Sequence, residues 1–96
     1  MQRTVLIEAR RIRVTGRVQG VGFRYFSCQQ ARRQGLLGWV QNEPDGAVTG
    51  WLQGDAEALG RMLLWLERGP DAAQVSGLEA EPCELDPGLQ GFTIRR

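Results

Sequence analysis

The sequence predicts an α+β sandwich, an antiparallel sheet with two helices on one face, its elements ordered βαββαβ with a terminal strand added. Three observations lead there. Short segments of alternating apolar and polar residues, the pattern of half-buried strands, recur along the chain. Two segments with apolar residues at helical spacing fall between them. Turns rich in glycine and proline separate these segments in the order strand, helix, strand, strand, helix, strand, which packs as a split βαβ unit. At 96 residues the chain suits one core and is too short for two, so residues 1–96 are expected to form a single domain.

The elements follow in order. Arg11 to Thr15, "RIRVT", alternates, with Ile12 and Val14 on one face. After a glycine-rich loop, "FRYFSCQQARRQG" places Phe23, Phe26, Ser27, Gln30 and Ala31 at helical spacing, and Gly35 marks its stop. "LLGWVQN" and "AVTGWLQ" read as strands joined by "EPDG", a segment of strong turn chemistry, so they form a hairpin. Val48, Gly50 and Leu52 share one face of the second strand; Thr49, Trp51 and Gln53 share the other. Asp55 caps a helix with Leu59, Met62, Leu63 and Leu66 at i, i+3, i+4 and i+7, ending before Gly69-Pro70. "AAQVSGLEAEP" is a strand whose apolar phase slips from Ala73 and Val75 to Leu78 and Ala80, which calls for a bulge near Gly77. "GFTIRR" is a short edge strand. The open sheet face would show Arg11, Arg13, Trp39, Gln41, Thr49 and Trp51.

Charge and composition exclude several functions. The net charge of +1 gives no electrostatic footprint for nucleic acid or an anionic membrane. The absence of histidine removes the commonest general base and the commonest metal ligand together. Cys28 and Cys83 form no CxxC pair, so they read as free thiols, with a disulfide left open. The N-terminal patch "MQRTVLIEARR" is too short for a signal-peptide core, and no stretch approaches a membrane span. The expectation is a cytoplasmic monomer with no metal, no cofactor, and no nucleic-acid or membrane partner.

"VTGRVQGVGFRYF", Val14 to Phe26, carries more glycine than a plain turn needs. A loop from a strand into a helix can turn several backbone N–H groups toward one point, and the helix dipole reinforces that point. Glycines let an anion approach without a Cβ in the way. No Gly-Lys-Ser/Thr follows and no GxGxxG is present, so a single small oxyanion fits better than a nucleotide. Arg24, in the first helical turn, could grip two phosphate oxygens. Read alone, a glycine-rich turn with a solvated arginine explains these residues equally well. Arg17 reads as a solvated loop residue, with a secondary phosphate contact as the alternative.

"VTGRVQGVGFR" and "GWVQNEPDGAVTGWLQG", Gly38 to Gly54, resemble the two signatures of the acylphosphatase family, including the spacing of Asn42, Gly46, Val48 and Gly54. "ERGPDAAQV" resembles the stretch that family shows after its second helix, so the resemblance spans essentially the whole chain. It implies the ferredoxin-like sandwich and metal-free hydrolysis of the carboxyl–phosphate bond in acyl phosphates, with inorganic phosphate as product and inhibitor. It also implies that Arg24 binds phosphate and that Asn42 positions the attacking water. The backbone cradle it implies is Arg17, Val18, Gln19, Gly20, Val21, Gly22 and Phe23.

Two rival readings use the same sandwich. An RNA-binding module needs an aromatic-rich strand and a basic face, and "AVTGWLQ" supplies one tryptophan. A non-catalytic domain that senses phosphate or an acyl phosphate is argued against by the presence of both Arg24 and Asn42. Other residues take bland roles. Asp45 and Gly46 are hairpin chemistry, Trp39 and Trp51 a cross-strand pair, and Ser27 a helix residue facing the sheet. Glu79, Glu81, Glu84 and Asp86 are solvated, with Glu81 and Glu84 placed to tune Cys83.

Overall fold

The computed structural model describes residues 4–96, so the first three residues of the N-terminal patch lie outside the described residues. Seven elements follow one another: β1 (Ile7–Arg17), α1 (Phe23–Arg33), β2 (Leu37–Asn42), β3 (Val48–Asp55), α2 (Ala56–Arg68), β4 (Gln74–Cys83) and β5 (Phe92–Arg95). Alternation sets the buried face of the sheet. Ile12 and Val14 of β1, Val40 of β2, and Val48 and Leu52 of β3 all enter one apolar cluster. The helices complete that cluster with Phe23, Cys28 and Ala31 from α1 and Ala58, Leu59, Met62 and Leu66 from α2. Helix α1 lies over β2 and β5, and α2 over β1, β3 and β4. Asp55 caps α2 as its sequence position suggests, its carboxylate accepting from the Glu57 amide.

The sheet order is β4-β1-β3-β2-β5. Strand β1 pairs antiparallel with β3 and β4, and β2 pairs antiparallel with β3 in the expected hairpin. The bulge is present: Thr15 faces Gly77 and Gly16 faces Val75, so Ser76 is the extra residue. One expectation needs correction. Strand β5 runs parallel to β2, from Gly38 opposite Phe92 to Gln41 opposite Arg95, so the sheet is mixed and not wholly antiparallel. The connection explains the direction. Strands β4 and β5 lie on opposite edges, and a chain that crosses once at one end of the sheet must run back alongside β2.

Gln53 secures that crossing. Its side-chain amide donates to Asp86 O at 3.0 Å, and its carbonyl accepts from Asp86 N at 2.8 Å and from Trp51 Nε1 at 3.1 Å. It is therefore buried, although its position in the alternation assigns it to the open face. In α1, Cys28 takes the buried place expected of Phe26, which is exposed. Trp39 and Trp51 sit directly opposite each other, and the Arg95 guanidinium lies 4.1 Å from the Trp39 ring centre.

At the hairpin turn, Asp45 Oδ1 accepts from Ala47 N at 3.0 Å while Oδ2 pairs with Arg13. The Arg13 hydrogen bond holds the Asp45 carboxyl below the usual carboxylate range. Its contribution to stability is therefore present near neutrality and fades as the pH falls through that lowered value. Cys28 is buried, Cys83 is half-buried, and both are free thiols. Burial pushes the Cys83 thiol up, and the charges opposing that are Arg11 and Arg10, not the flanking Glu81 and Glu84.

Met62 has no exposed surface, whereas Leu64 on the outer side of the same helix is 68% exposed. Met62→Ala should cost about 2–5 kcal/mol through lost burial and the cavity left behind. Leu64→Ala should change stability by about 0.5 kcal/mol or less. Urea unfolding of the two variants checks the assignment of the buried face.

Candidate active site

Strand β1 ends at Arg17 and α1 begins at Phe23, so the intervening chain reverses over a very short span. Val18 and Phe23, at its two ends, are each 1% exposed and anchor the loop in the core. Between them Gly20 has φ 74° and Gly22 φ 77°, a left-handed backbone that other residues adopt at a cost of about 1–2 kcal/mol. At Gly22 a Cβ would also sit 3.0 Å from the Phe26 ring.

Gly22 is the N-cap of α1, and no side chain caps the helix. Its first turn holds no acidic residue but does hold Arg24. A cation at a helix N-terminus is unfavourable by about 0.3–1 kcal/mol. Uncapped amides, a positive dipole end and a guanidinium in one place are poor for stability and well suited to an oxyanion.

Arg24 is half-buried, and its Nη1 donates to the main-chain carbonyl of Arg95 at 3.1 Å. That contact ties the guanidinium to β5. Gln19 makes the matching tie on the other side of the loop. Its Nε2 donates to Glu43 O at 2.8 Å and Ala47 O at 3.0 Å, fastening the loop to the β2–β3 turn. The turn itself is closed by Glu43 N donating to Ala47 O at 2.8 Å. Asn42, the last residue of β2, is thus fixed by a strand on one side and this turn on the other.

Asn42 Oδ1 is buried and has no hydrogen-bond partner among the described residues. An unpaired buried acceptor costs about 1–3 kcal/mol, so it marks a place where stability yields to another requirement. Ser27 Oγ is also buried and unpaired, but it faces the core from α1 and has no base nearby.

The loop, the first turn of α1 and Asn42 enclose a cleft of about 210 Å³. Of the residues singled out from the sequence, Val18, Gln19, Gly20, Gly22, Phe23, Arg24 and Asn42 line it. Arg17 and Val21 do not. Arg17 is exposed at the end of β1, and Val21 turns behind the loop to a separate hollow with Phe26 and Trp65. Three participants escaped the sequence reading: Tyr25 and Ile94, which also line the cleft, and the carbonyl of Arg95. Among the described residues, no three His, Cys, Asp or Glu side chains group as metal ligands would.

Comparison with known proteins shows the family. The family model described as Acylphosphatase matches residues 10–94. An acylphosphatase of Rhizobium etli is 46% identical over 87 residues, covering 91% of this chain and 93% of that protein. One from Paraburkholderia xenovorans is 49% identical over 86 residues, covering 90% of this chain and 89% of its own. The crystal structure of acylphosphatase from Bacillus subtilis superposes with a TM-score of 0.89 at 34% identity, covering 95% of this chain and all of the other. With residues 10–94 matched by the family model and nearly the full length of its relatives covered, the chain belongs to the acylphosphatase family.

Proposed function

We propose that the cleft hydrolyses the carboxyl–phosphate bond of an acyl phosphate by direct attack of water on phosphorus. The observation that carries this reading is the convergence of Arg24, the glycine loop and Asn42 on the lining of one cleft. The water oxygen bonds to phosphorus as the bond from phosphorus to the acyl oxygen breaks. The electron pair leaves with the carboxylate, and the water proton passes to a phosphate oxygen. A carboxylic acid has a pKa of about 4, so the leaving group departs unprotonated and no general acid is needed. That requirement suits a chain without histidine.

Phosphoryl transfer proceeds mainly by positioning and charge stabilisation. Arg24 and the amides of the loop residues that line the cleft, Val18, Gln19, Gly20, Gly22 and Phe23, supply the charge. Asn42 cannot take up a proton near neutrality, but its Oδ1 can accept a hydrogen bond from the water and fix its line of approach. In this reading the chain acts as a single-domain cytoplasmic monomer on a small acyl phosphate, with inorganic phosphate as product and inhibitor. No helix among the described residues is long and apolar enough to cross a membrane. The RNA-binding and phosphate-sensing alternatives leave the unpaired Asn42 carbonyl without a role.

Three outcomes test the mechanism. Activity on benzoyl phosphate, corrected for spontaneous hydrolysis, should survive EDTA and gain nothing from magnesium; a requirement restored by magnesium would overturn the charge assignment. Inorganic phosphate should inhibit competitively and raise the melting temperature, with roughly 2.7 kcal/mol of stabilisation at a hundredfold excess over Kd.

The two side chains should separate by role. Arg24→Ala should lower activity about 100-fold or more and weaken phosphate binding with it, and Arg24→Lys should recover little. Asn42→Ala should lower kcat by about 100-fold with KM and phosphate affinity nearly unchanged. Because Asn42 Oδ1 is an unpaired buried acceptor, that variant should be no less stable than the parent. Calorimetric phosphate titration beside steady-state kinetics and urea unfolding reads all three quantities.

A further inference from the structure

The polar side of the cleft accounts for one end of the substrate only. The acyl group, bonded through oxygen to the held phosphorus, must lie beyond the cradle, and Tyr25 and Ile94 are the exposed large apolar residues of the cleft lining. Both are exposed, at 56% and 41%. Single exposed apolar side chains are common and need no explanation. This pair differs in being held and in being shared.

Tyr25 is fixed from two directions. Gln29 Nε2 donates to its hydroxyl at 3.0 Å, and Phe26 meets its ring edge-on with centroids 5.2 Å apart. Ile94 is set by β5, one residue before the carbonyl that holds Arg24. Tyr25 and Ile94 also line a second hollow of about 350 Å³, completed by Cys28, Gln29, Arg32 and Thr93 along the seam between α1 and β5. Arg32 is held there too, its Nε and Nη2 donating to Phe92 O at 3.1 and 2.9 Å. The hollow behind the loop, beside Val21, shares no lining residue with the phosphate cleft. The seam hollow, by contrast, shares both Tyr25 and Ile94 with the cleft.

We propose that Tyr25 and Ile94 form an acyl subsite, which selects acyl phosphates with an aromatic or branched apolar body over those with a short acyl chain. The inference rests on the hydrolytic reading above and adds the substrate class. An apolar body lying against both side chains removes its own surface and theirs from water, and the prior fixing of the tyrosine ring reduces the ordering cost. An acetyl group carries a single methyl and removes far less apolar surface from water.

The test compares kcat/KM for benzoyl phosphate and acetyl phosphate, each against a protein-free control, in the parent, Tyr25→Ala, Ile94→Ala and Tyr25→Phe. The parent should favour benzoyl phosphate. Each alanine variant should lower the benzoyl-to-acetyl ratio by about fivefold or more, through KM for benzoyl phosphate, while Tyr25→Phe, which keeps the ring but loses the Gln29 hydrogen bond, should lower it by less than about twofold. Competitive inhibition by inorganic phosphate should keep its constant within about twofold, which separates a lost acyl contact from a disturbed cradle. An unchanged ratio overturns the inference while leaving the hydrolytic reading intact. So does a joint fall for both substrates with weakened phosphate inhibition. Release of phosphate from neither substrate by the parent overturns both.

Discussion

Burial of Val18 and Phe23 at the two ends of one short loop is the constraint from which the site follows. Each side chain is committed to the core, so the backbone between them cannot relax outward to find an ordinary conformation. It closes through left-handed glycines, and the first amides of α1 are left with no side-chain cap. A longer loop could have supplied a serine or aspartate cap and a more stable helix start. That cap would occupy the donors an oxyanion needs. Core packing thus enforces the shape of the cradle, and composition keeps it open.

The residues around the cradle arrive from separate parts of the chain and are tied by side-chain to main-chain hydrogen bonds. Gln19 reaches the β2–β3 turn, and Arg24 reaches the carbonyl of Arg95. A guanidinium with several donors can keep this contact and still present others to a ligand. The unpaired Asn42 carbonyl and the cation at a helix start are each unfavourable in isolation. Their coincidence in one cleft is a stronger functional signal than either, since a stability-driven sequence would have removed both.

Legibility in the sequence followed the range of the interaction. The β2–β3 hairpin and α2 depend on turn chemistry and periodicity within a few residues, and both were readable. The bulge at Ser76 was readable too, because a phase slip in apolar residues is a local record of it. The direction of β5 was not, since it depends on which edge the chain reaches, and Gln53 carries no mark of the loop it secures. Cys28 displaced Phe26 from the core because both positions suit the helix face and only packing chooses between them. In the site, the two signature segments carried Arg24 and Asn42. The carbonyl of Arg95 left no trace, because every residue has one.

The same topology orders events in time. Asn42 faces Val48 across a tight hairpin, a pairing with little loop-closure entropy to overcome. The strand that holds Arg24 instead pairs Phe92 with Gly38, and β1 must wait for Cys83 to meet Ala9. Pairings this distant slow folding, because loop-closure entropy is lost before the contacts form. The hairpin bearing Asn42 can therefore take shape early, whereas Arg24 gains its hold only when the far edge of the sheet docks.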